Sequence, residues 1–376
     1  MIDFLAHPHH RHTRSFDPLR KAIGQPLRTL YGDPETLREY LPSLQKQPPR
    51  LLILWQLEHL AAWASHFCPV LVFPMHDLTR MTPDAYLASL REVEWISFSR
   101  ILHQRLSGLG LSSRYLQYAP DPDGFPEVSW QQGPRAYFWE RMPVELDGRA
   151  VRQILAAMGV KDLEVRRMGD ALFSSAEKTE REEAKRTWQG REDYLRSLAG
   201  RNVFVAPRRY EGIGMAFLEA MAMGMCVVAE NQSTANEYIL SGENGILYGG
   251  GRAHLFAPAP ASLSELERMG KAARESIGQI HRNWLETQGE VSERVRSLLE
   301  KPVKRRLAAT GLLEATLEFS RKPEKFWALA ASISPSEKIW RSEKIEKRAR
   351  SRRGLLGGLR HFLRNPRKSL VDWLAQ

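Results

Sequence analysis

The sequence predicts two α/β domains with Rossmann-like parallel sheets facing a cleft, followed by a basic helical tail. Three observations carry that prediction. Short apolar runs of strand length alternate with helix-period patterns, a Pro/Gly cluster (Pro120, Pro122, Gly124, Pro126) interrupts the alternation once, and positive charge gathers at one end. Alternation of this kind implies parallel pairing, because parallel neighbours need a crossover connection that is usually a helix. The Pro/Gly break reads as a linker, giving a first domain over residues 1–130, a second over 131–300 and the tail over 301–376.

In the first domain Arg50–Trp55 and Pro69–Phe73 have strand length, with a helical spacing of Leu57, Leu60, Ala61 and Ala64 between them. Thr82–Arg91 predicts a helix capped by Thr82, with Pro83 at its first position and Tyr86, Leu87 and Leu90 on one face. Trp95–Phe98 follows as strand, Ile101–Leu109 as helix and Arg114–Tyr118 as strand. Past the linker, Ala136–Trp139, Leu163–Arg166, Asn202–Ala206, Cys226–Ala229 and Ile246–Tyr248 read as strands. Helices fall at Arg149–Met158, Arg191–Leu198, Met215–Met223 and Ala235–Leu240, and the charged stretch Ser174–Gln189 reads as a solvated helix or loop. Two longer helices near Ser262–Ile277 and His281–Glu300 close the domain.

At 376 residues, 43% apolar and 26% charged, the chain can bury sizeable cores. Its net charge is +11, but Lys338–Gln376 alone holds 12 basic and 3 acidic residues. The body is therefore near neutral, which argues against a nucleic-acid partner. Leu355–Leu374 interleaves Leu, Phe and Trp with Arg and Lys beside the basic cluster Lys344–Arg353. That pattern suits an anionic membrane surface, the alternative being a solvated tail. Cys68 and Cys226 sit in apolar runs, as expected of buried thiols in a reducing compartment. The N-terminus lacks a signal-peptide pattern, and Leu51–Phe73 is too interrupted by Gln56, Glu58, His59, His66 and Pro69 to span a bilayer. The expected location is cytoplasmic, with peripheral attachment at the inner face of the plasma membrane.

The segment Asn202–Tyr248 holds the most chemistry. A strand ends at Ala206, a loop presents Arg208, Arg209 and Glu211, and Gly212 and Gly214 open a helix. Glycines there let a ligand approach the backbone, and first-turn N–H groups with the helix dipole favour an anion. Glu211 lies just outside the helix and Glu219 inside it, and a carboxylate can accept from two neighbouring hydroxyls of a sugar. Spacing alone leaves a plainer alternative, a core stripe of Met215, Leu218 and Met221 with both acids solvated.

This segment resembles the signature of retaining glycosyltransferases of the GT-B fold, family 4. The matching positions are Pro207, Arg209, Tyr210, Glu211, Gly212, Gly214, Leu218–Ala222, Gly224 and Val227–Ala229. The later runs Asn236-Glu237 and Gly242–Tyr248, then Met269–Arg274 and Trp284, are similar to the family's next landmarks. The resemblance implies a nucleotide-sugar donor whose ribose meets Glu219 and whose transferred sugar meets Glu211, with amides of Gly212, Ile213, Gly214 and Met215 positioning sugar or phosphate. It also implies that Arg141 and Arg209 neutralise the diphosphate. The family's nearby Lys is absent from Met142–Gly148, leaving Arg208 or Arg149 to replace it.

Glu237 reads either as a donor contact or as the acid of a capping box with Thr234. His76, where the family carries a cleft-facing histidine, reads as a contact to donor sugar and acceptor or as a structural hydrogen bonder. The family's glycine-rich loop after the first strand is missing. In its place stand four His in six residues (His7, His9, His10, His12), which read as a metal site, an acceptor-facing loop or a surface segment. The only Asp-x-Asp, Asp121-Pro-Asp123, lies in the linker, so the expected chemistry uses neither metal nor cofactor. The implied activity is sugar transfer to a hydroxyl of a glycan or lipid-linked acceptor, in cell-surface polysaccharide or lipopolysaccharide synthesis. A nucleotide-sugar epimerase on the same fold and a non-catalytic binding protein are the alternatives.

Overall fold

A computed structural model describes residues 1–8, 10–13, 15–141, 145–167, 191–249, 261–301 and 311–319. The expected helix or loop at Ser174–Gln189, and the basic stretch with Lys344–Arg353 and Leu355–Leu374, lie outside the described residues. Six strands form the first sheet: β1 (Ile2–Ala6), β2 (Leu27–Tyr31), β3 (Leu51–Trp55), β4 (Val70–Phe73), β5 (Glu94–Ser97) and β6 (Ser112–Tyr115), in the order β2-β1-β3-β4-β5-β6. Five form the second: β7 (Arg135–Glu140), β8 (Asp162–Arg167), β9 (Val203–Val205), β10 (Cys226–Glu230) and β11 (Ile246–Tyr248), in the order β11-β10-β9-β7-β8. All pairings of these strands are parallel. The central strands β3, β9 and β10 are buried along their whole length, which is why they read as unbroken apolar runs.

Strand order reverses between β1 and β3 in one sheet and between β7 and β9 in the other. Open parallel sheets bind ligands outside the carboxyl ends of their strands at such reversals. Residues following β7 and β9, namely Arg141 and the loop from Ala206, therefore flank the crevice of the second sheet.

The sequence reading passes over the helix Asp17–Ile23, strand β2 and the helix Pro34–Ser43. Strand β2 is a partly exposed edge strand and has no apolar run to announce it. It is held by Arg28, whose guanidinium donates to the buried carboxylate of Asp3, which also accepts from Tyr40 Oη at 2.8 Å. At the other end, one helix, Leu263–Thr287, runs through the break expected near Gly278 and is followed by Gly289–Glu300.

The expected boundary at residue 300 gives way. Helix Gly289–Glu300 buries Val291, Val295 and Leu298 and packs on Asp17–Ile23 and β3, so the chain returns to the first sheet. Lys301 and Arg294 both pair with Glu94, at 2.9 and 3.1 Å. Helix Leu312–Leu317, expected in the tail, docks on Pro34–Ser43 and Ala61–Ala64, with Leu312 buried and Phe319 stacked on His59 at 4.3 Å. The apolar faces of both segments are covered by the first domain. Among the described residues no helix is long and apolar enough to cross a membrane.

Helix Leu263–Thr287 starts with a capping box between Ser262 and Glu265 and lies against the helix Met215–Ala222 and β10. Gly270 sets how close it comes. A Cβ there would run into the carbonyl oxygen of Gly224 and lie 2.8 Å from Cζ2 of Trp130. Gly270→Ala is expected to lower stability by about 1–3 kcal/mol through overpacking, despite a helix-propensity gain of about 1 kcal/mol. Urea unfolding measures this, and an unchanged or raised midpoint would contradict the packing.

Candidate active site

Beyond β9 the chain enters a loop that ends at Gly214, which caps the helix Met215–Ala222 with φ of 84°. A Cβ at that position would enter the ring of Phe217, so glycine is required for both backbone and space. Phe217, Leu218, Glu219, Ala220, Met221 and Ala222 are buried, and Met215 is half-buried. Glu211 and Glu219 are only 8% and 5% exposed, which removes the reading in which both acids are solvated. The carbonyl of Glu211 accepts from Thr234 Oγ1 at 2.8 Å. Thr234 itself has φ of 77° and ψ of −58°, a strained γ-turn conformation for a β-branched residue.

The facing wall is the short helix His76–Thr79, which follows β4. Arg208 Nη1 donates to Asp77 Oδ2 at 2.9 Å across the two domains, with both side chains largely buried. The Arg80 guanidinium lies 3.9 Å from the ring centre of Tyr210, and His76 meets the same ring edge-on at 6.3 Å. Burial pushes His76 down to about 4, and the positive charges of Arg80 and Arg105 act the same way. Its imidazole is therefore neutral near pH 7, with one donor and one acceptor nitrogen. Gly212 backs onto this wall: a Cβ there would lie 2.9 Å from Met75 Cβ and 3.2 Å from Asp77 Oδ1. Ile213 reaches between Trp55, Phe98, Tyr118 and Trp284 around a small cavity of about 10 Å³. The structure thus brings His76, Glu211, Gly212, Ile213, Gly214, Met215 and Glu219 into one region.

The arginines divide. Arg141 follows β7 with its guanidinium 4.4 Å from the ring centre of Trp139. Arg209, expected as a cation for the diphosphate, is ion-paired through Nε with Glu230 at 2.8 Å, and its amide donates to Glu145. Of the candidates to replace the missing Lys, Arg208 is engaged by Asp77 and Arg149 is exposed at the start of the helix Gly148–Ala157. Residues 142–144 lie outside the described residues.

Glu237 spans the two domains. Its carboxylate accepts from Ser99 Oγ (3.0 Å), the Arg100 amide (2.8 Å) and Tyr115 Oη (3.0 Å), all in the first domain. It caps the helix Arg100–Gly108 of the opposite domain, which has no side-chain cap of its own, where the helix dipole favours a negative charge. Thr234 makes no side-chain cap, so the capping box is not formed. The histidine run is corrected at His10, which is buried, hydrogen-bonded by Nδ1 to Ser15 Oγ (2.7 Å) and by Nε2 to Gln56. It thereby closes the turn after β1. His9 and the side chain of His12 lie outside the described residues. A groove of about 460 Å³ lined by Pro122, Lys271, Arg274 and Arg282 lies elsewhere, sharing no residue with the Ala206–Met215 loop.

Sequence reasoning missed the roles of Asp77, Thr234 and Glu230. Asp77 stands beside His76, yet its distant partner Arg208 leaves no local spacing signal. Thr234 is unremarkable until its φ is known.

Residues 141–265 match the glycosyl transferases group 1 family. That stretch, from the end of β7 into the start of the helix Leu263–Thr287, is thus similar to group 1 glycosyl transferases. A lipopolysaccharide core biosynthesis mannosyltransferase of Rhizobium meliloti (strain 1021) is 30% identical over 95 residues. That match spans 24% of this chain and about a quarter (26%) of the relative. Among solved structures, Anabaena HepE in complex with UDP and glucose superposes with a TM-score of 0.53 at 15% identity, covering 79% of this chain and 99% of that one. Sucrose-phosphate synthase from Thermosynechococcus elongatus gives 0.55 at 14% identity, covering 79% and 98%. These likenesses show the fold, which is GT-B. The matched stretch holds the loop with Glu211 and the helix with Glu219, while the first domain supplies His76 and Asp77.

Glu237→Gln replaces one acceptor oxygen with an amide facing N–H and O–H donors of the other domain. It is expected to cost about 1–3 kcal/mol, the range for a hydrogen-bonded charged group. Urea unfolding at neutral pH checks this, and wild-type stability would contradict the bridging role.

Proposed function

We propose that the chain transfers a hexose from a nucleoside diphosphate sugar to a hydroxyl of a glycan or lipid-linked acceptor, with retention at the anomeric carbon. The process is synthesis of cell-surface polysaccharide or lipopolysaccharide. One observation carries this reading: two buried carboxylates, Glu211 and Glu219, flank a helix N-terminus beside the strand-order reversal and opposite a neutral histidine. A carboxylate can accept hydrogen bonds from two neighbouring hydroxyls at once. Sugar hydroxyls are suitable donors. The HepE structures with UDP-glucose and with UDP and glucose support a nucleotide-sugar donor, and the mannosyltransferase relative supports a lipopolysaccharide setting.

In this reading Glu219 accepts from the ribose hydroxyls and Glu211 from the hexose. Amides of Gly212–Met215, with Arg141 and Arg209, stabilise the charge that develops on the leaving diphosphate. Glu230 orients Arg209 through Nε, and the two guanidinium amino groups are the donors assigned to the diphosphate. The bond from the anomeric carbon to phosphate oxygen breaks as the acceptor oxygen bonds on the same face. The acceptor's proton passes to the departing diphosphate, so no enzymatic nucleophile is needed. His76 orients the sugar and acceptor. No metal or cofactor is assigned, and Asp121 in the linker is used by its own turn, accepting from the Asp123 amide at 3.0 Å.

Glu211→Ala and Glu219→Ala are each expected to reduce transfer by about 10²–10³-fold, the scale for losing one transition-state contact. Mass-spectrometric product analysis with a panel of nucleotide sugars measures this. Near-normal turnover in both variants would contradict the reading.

The same reading places the enzyme in the cytoplasm with its basic tail on anionic headgroups, each surface cation contributing about 1 kcal/mol. Full-length protein is expected to float with anionic liposomes and a chain ending at residue 335 to float less. Equal flotation would remove the tail from the account.

A further inference from the structure

Asp77 has two oxygens in different circumstances. Its side chain is 7% exposed, and Oδ2 is held by Arg208 of the second domain at 2.9 Å. Oδ1 is enclosed and makes no hydrogen bond among the described residues. Several donors on the same wall are committed elsewhere. Thr79 Oγ1 donates to Glu58 at 2.5 Å, Arg80 covers the Tyr210 ring, and Arg105 donates to Asp84 and to the carbonyls of Thr79 and Thr82.

A buried carboxylate oxygen left without a donor costs about 1–3 kcal/mol or more, so its persistence needs a use. Its surroundings narrow the use. Oδ1 faces Gly212, where a Cβ would come within 3.2 Å of it, and Gly212 is the neighbour of Glu211. On its other side in sequence is His76, which is neutral. An anion would be repelled by Asp77, whereas a hydroxyl offers the single O–H donor that Oδ1 lacks.

We propose that Asp77 is a further substrate-binding residue: Oδ1 accepts a hydrogen bond from a hydroxyl of the transferred hexose, while Oδ2 remains on Arg208. The hexose then lies between a carboxylate of each domain, Glu211 on one side and Asp77 on the other. Asp77 discriminates among hexoses by requiring a hydroxyl at one position, and through Arg208 it holds the Glu211 loop in register with the first domain. This inference rests on the glycosyl-transfer reading of the cleft.

The test separates sugar from nucleotide. Isothermal titration of the full chain with UDP, GDP, UDP-glucose, UDP-galactose and GDP-mannose first finds which nucleotide and which sugar bind. In Asp77→Asn, the Kd of the nucleotide sugar is expected to rise about 10- to 100-fold, as for a lost hydrogen bond to a charged group. The Kd of the bare nucleoside diphosphate should rise only as far as it does in Arg208→Gln, which removes the same ion pair, since Oδ1 does not contact it, so the sugar-bearing ligand shifts further than the bare one. Arg208→Gln breaks the same ion pair but spares Oδ1, so it should shift both ligands by a similar factor. Asp77→Ser provides a second variant should the Asn form fail to fold. Equal shifts for sugar-bearing and bare nucleotides in the Asp77 variants would reduce Asp77 to an interdomain ion pair and overturn the proposal. A wild-type chain that binds none of the nucleotides would overturn the glycosyl-transfer reading and this assignment together.

Discussion

The Arg208–Asp77 ion pair is the contact on which the arrangement of the cleft depends. It joins the loop that carries Glu211 to the helix that carries His76, and it is almost fully removed from water. Removing either partner of such a pair is costly, about 3–5 kcal/mol, because the other charge stays buried. Around it the two domains meet through backbone and ring: Gly212 against Met75, and Tyr210 between Arg80 and His76. A second tie lies at Glu237, which caps a helix of the opposite domain. Thr234 links the two ties, since it holds the Glu211 carbonyl and begins the short helix that bears Glu237.

Parallel pairing explains why these groups can meet at all. With every strand of a sheet running the same way, the loops that follow β4, β7 and β9 leave from carboxyl ends. The chain then closes the assembly by returning through Gly289–Glu300 to the first sheet and docking Leu312–Leu317 beside it. Both domains are thereby braced at two levels, by this crossing at the back and by the ion pairs at the cleft.

The alternation of apolar runs and helical spacing made the two-sheet fold legible, and Glu211, Gly212, Gly214 and Glu219 were legible because they lie within one continuous segment. Interactions between distant segments were not. Glu237 has capping-box spacing with Thr234, yet its donors lie in the region 99–115 and its true helix is there. Strand β2 carries Arg28 and Thr29 where a buried strand would carry aliphatics, so it left no apolar run. Leu312 reads as tail by position, but its side chain completes the core of the first domain. His10 reads as part of a surface run, while its burial depends on Ser15 and Gln56.

The central claim is that the Ala206–Ala222 loop and helix bind a nucleotide sugar. A crystal structure of the full chain with the nucleotide sugar found by titration tests it most directly. The account predicts ribose hydroxyls on the Glu219 carboxylate, diphosphate at the amides of Gly212–Met215, and the hexose between Glu211 and His76. Nucleotide bound elsewhere, for example in the groove beside Lys271, Arg274 and Arg282, would contradict it.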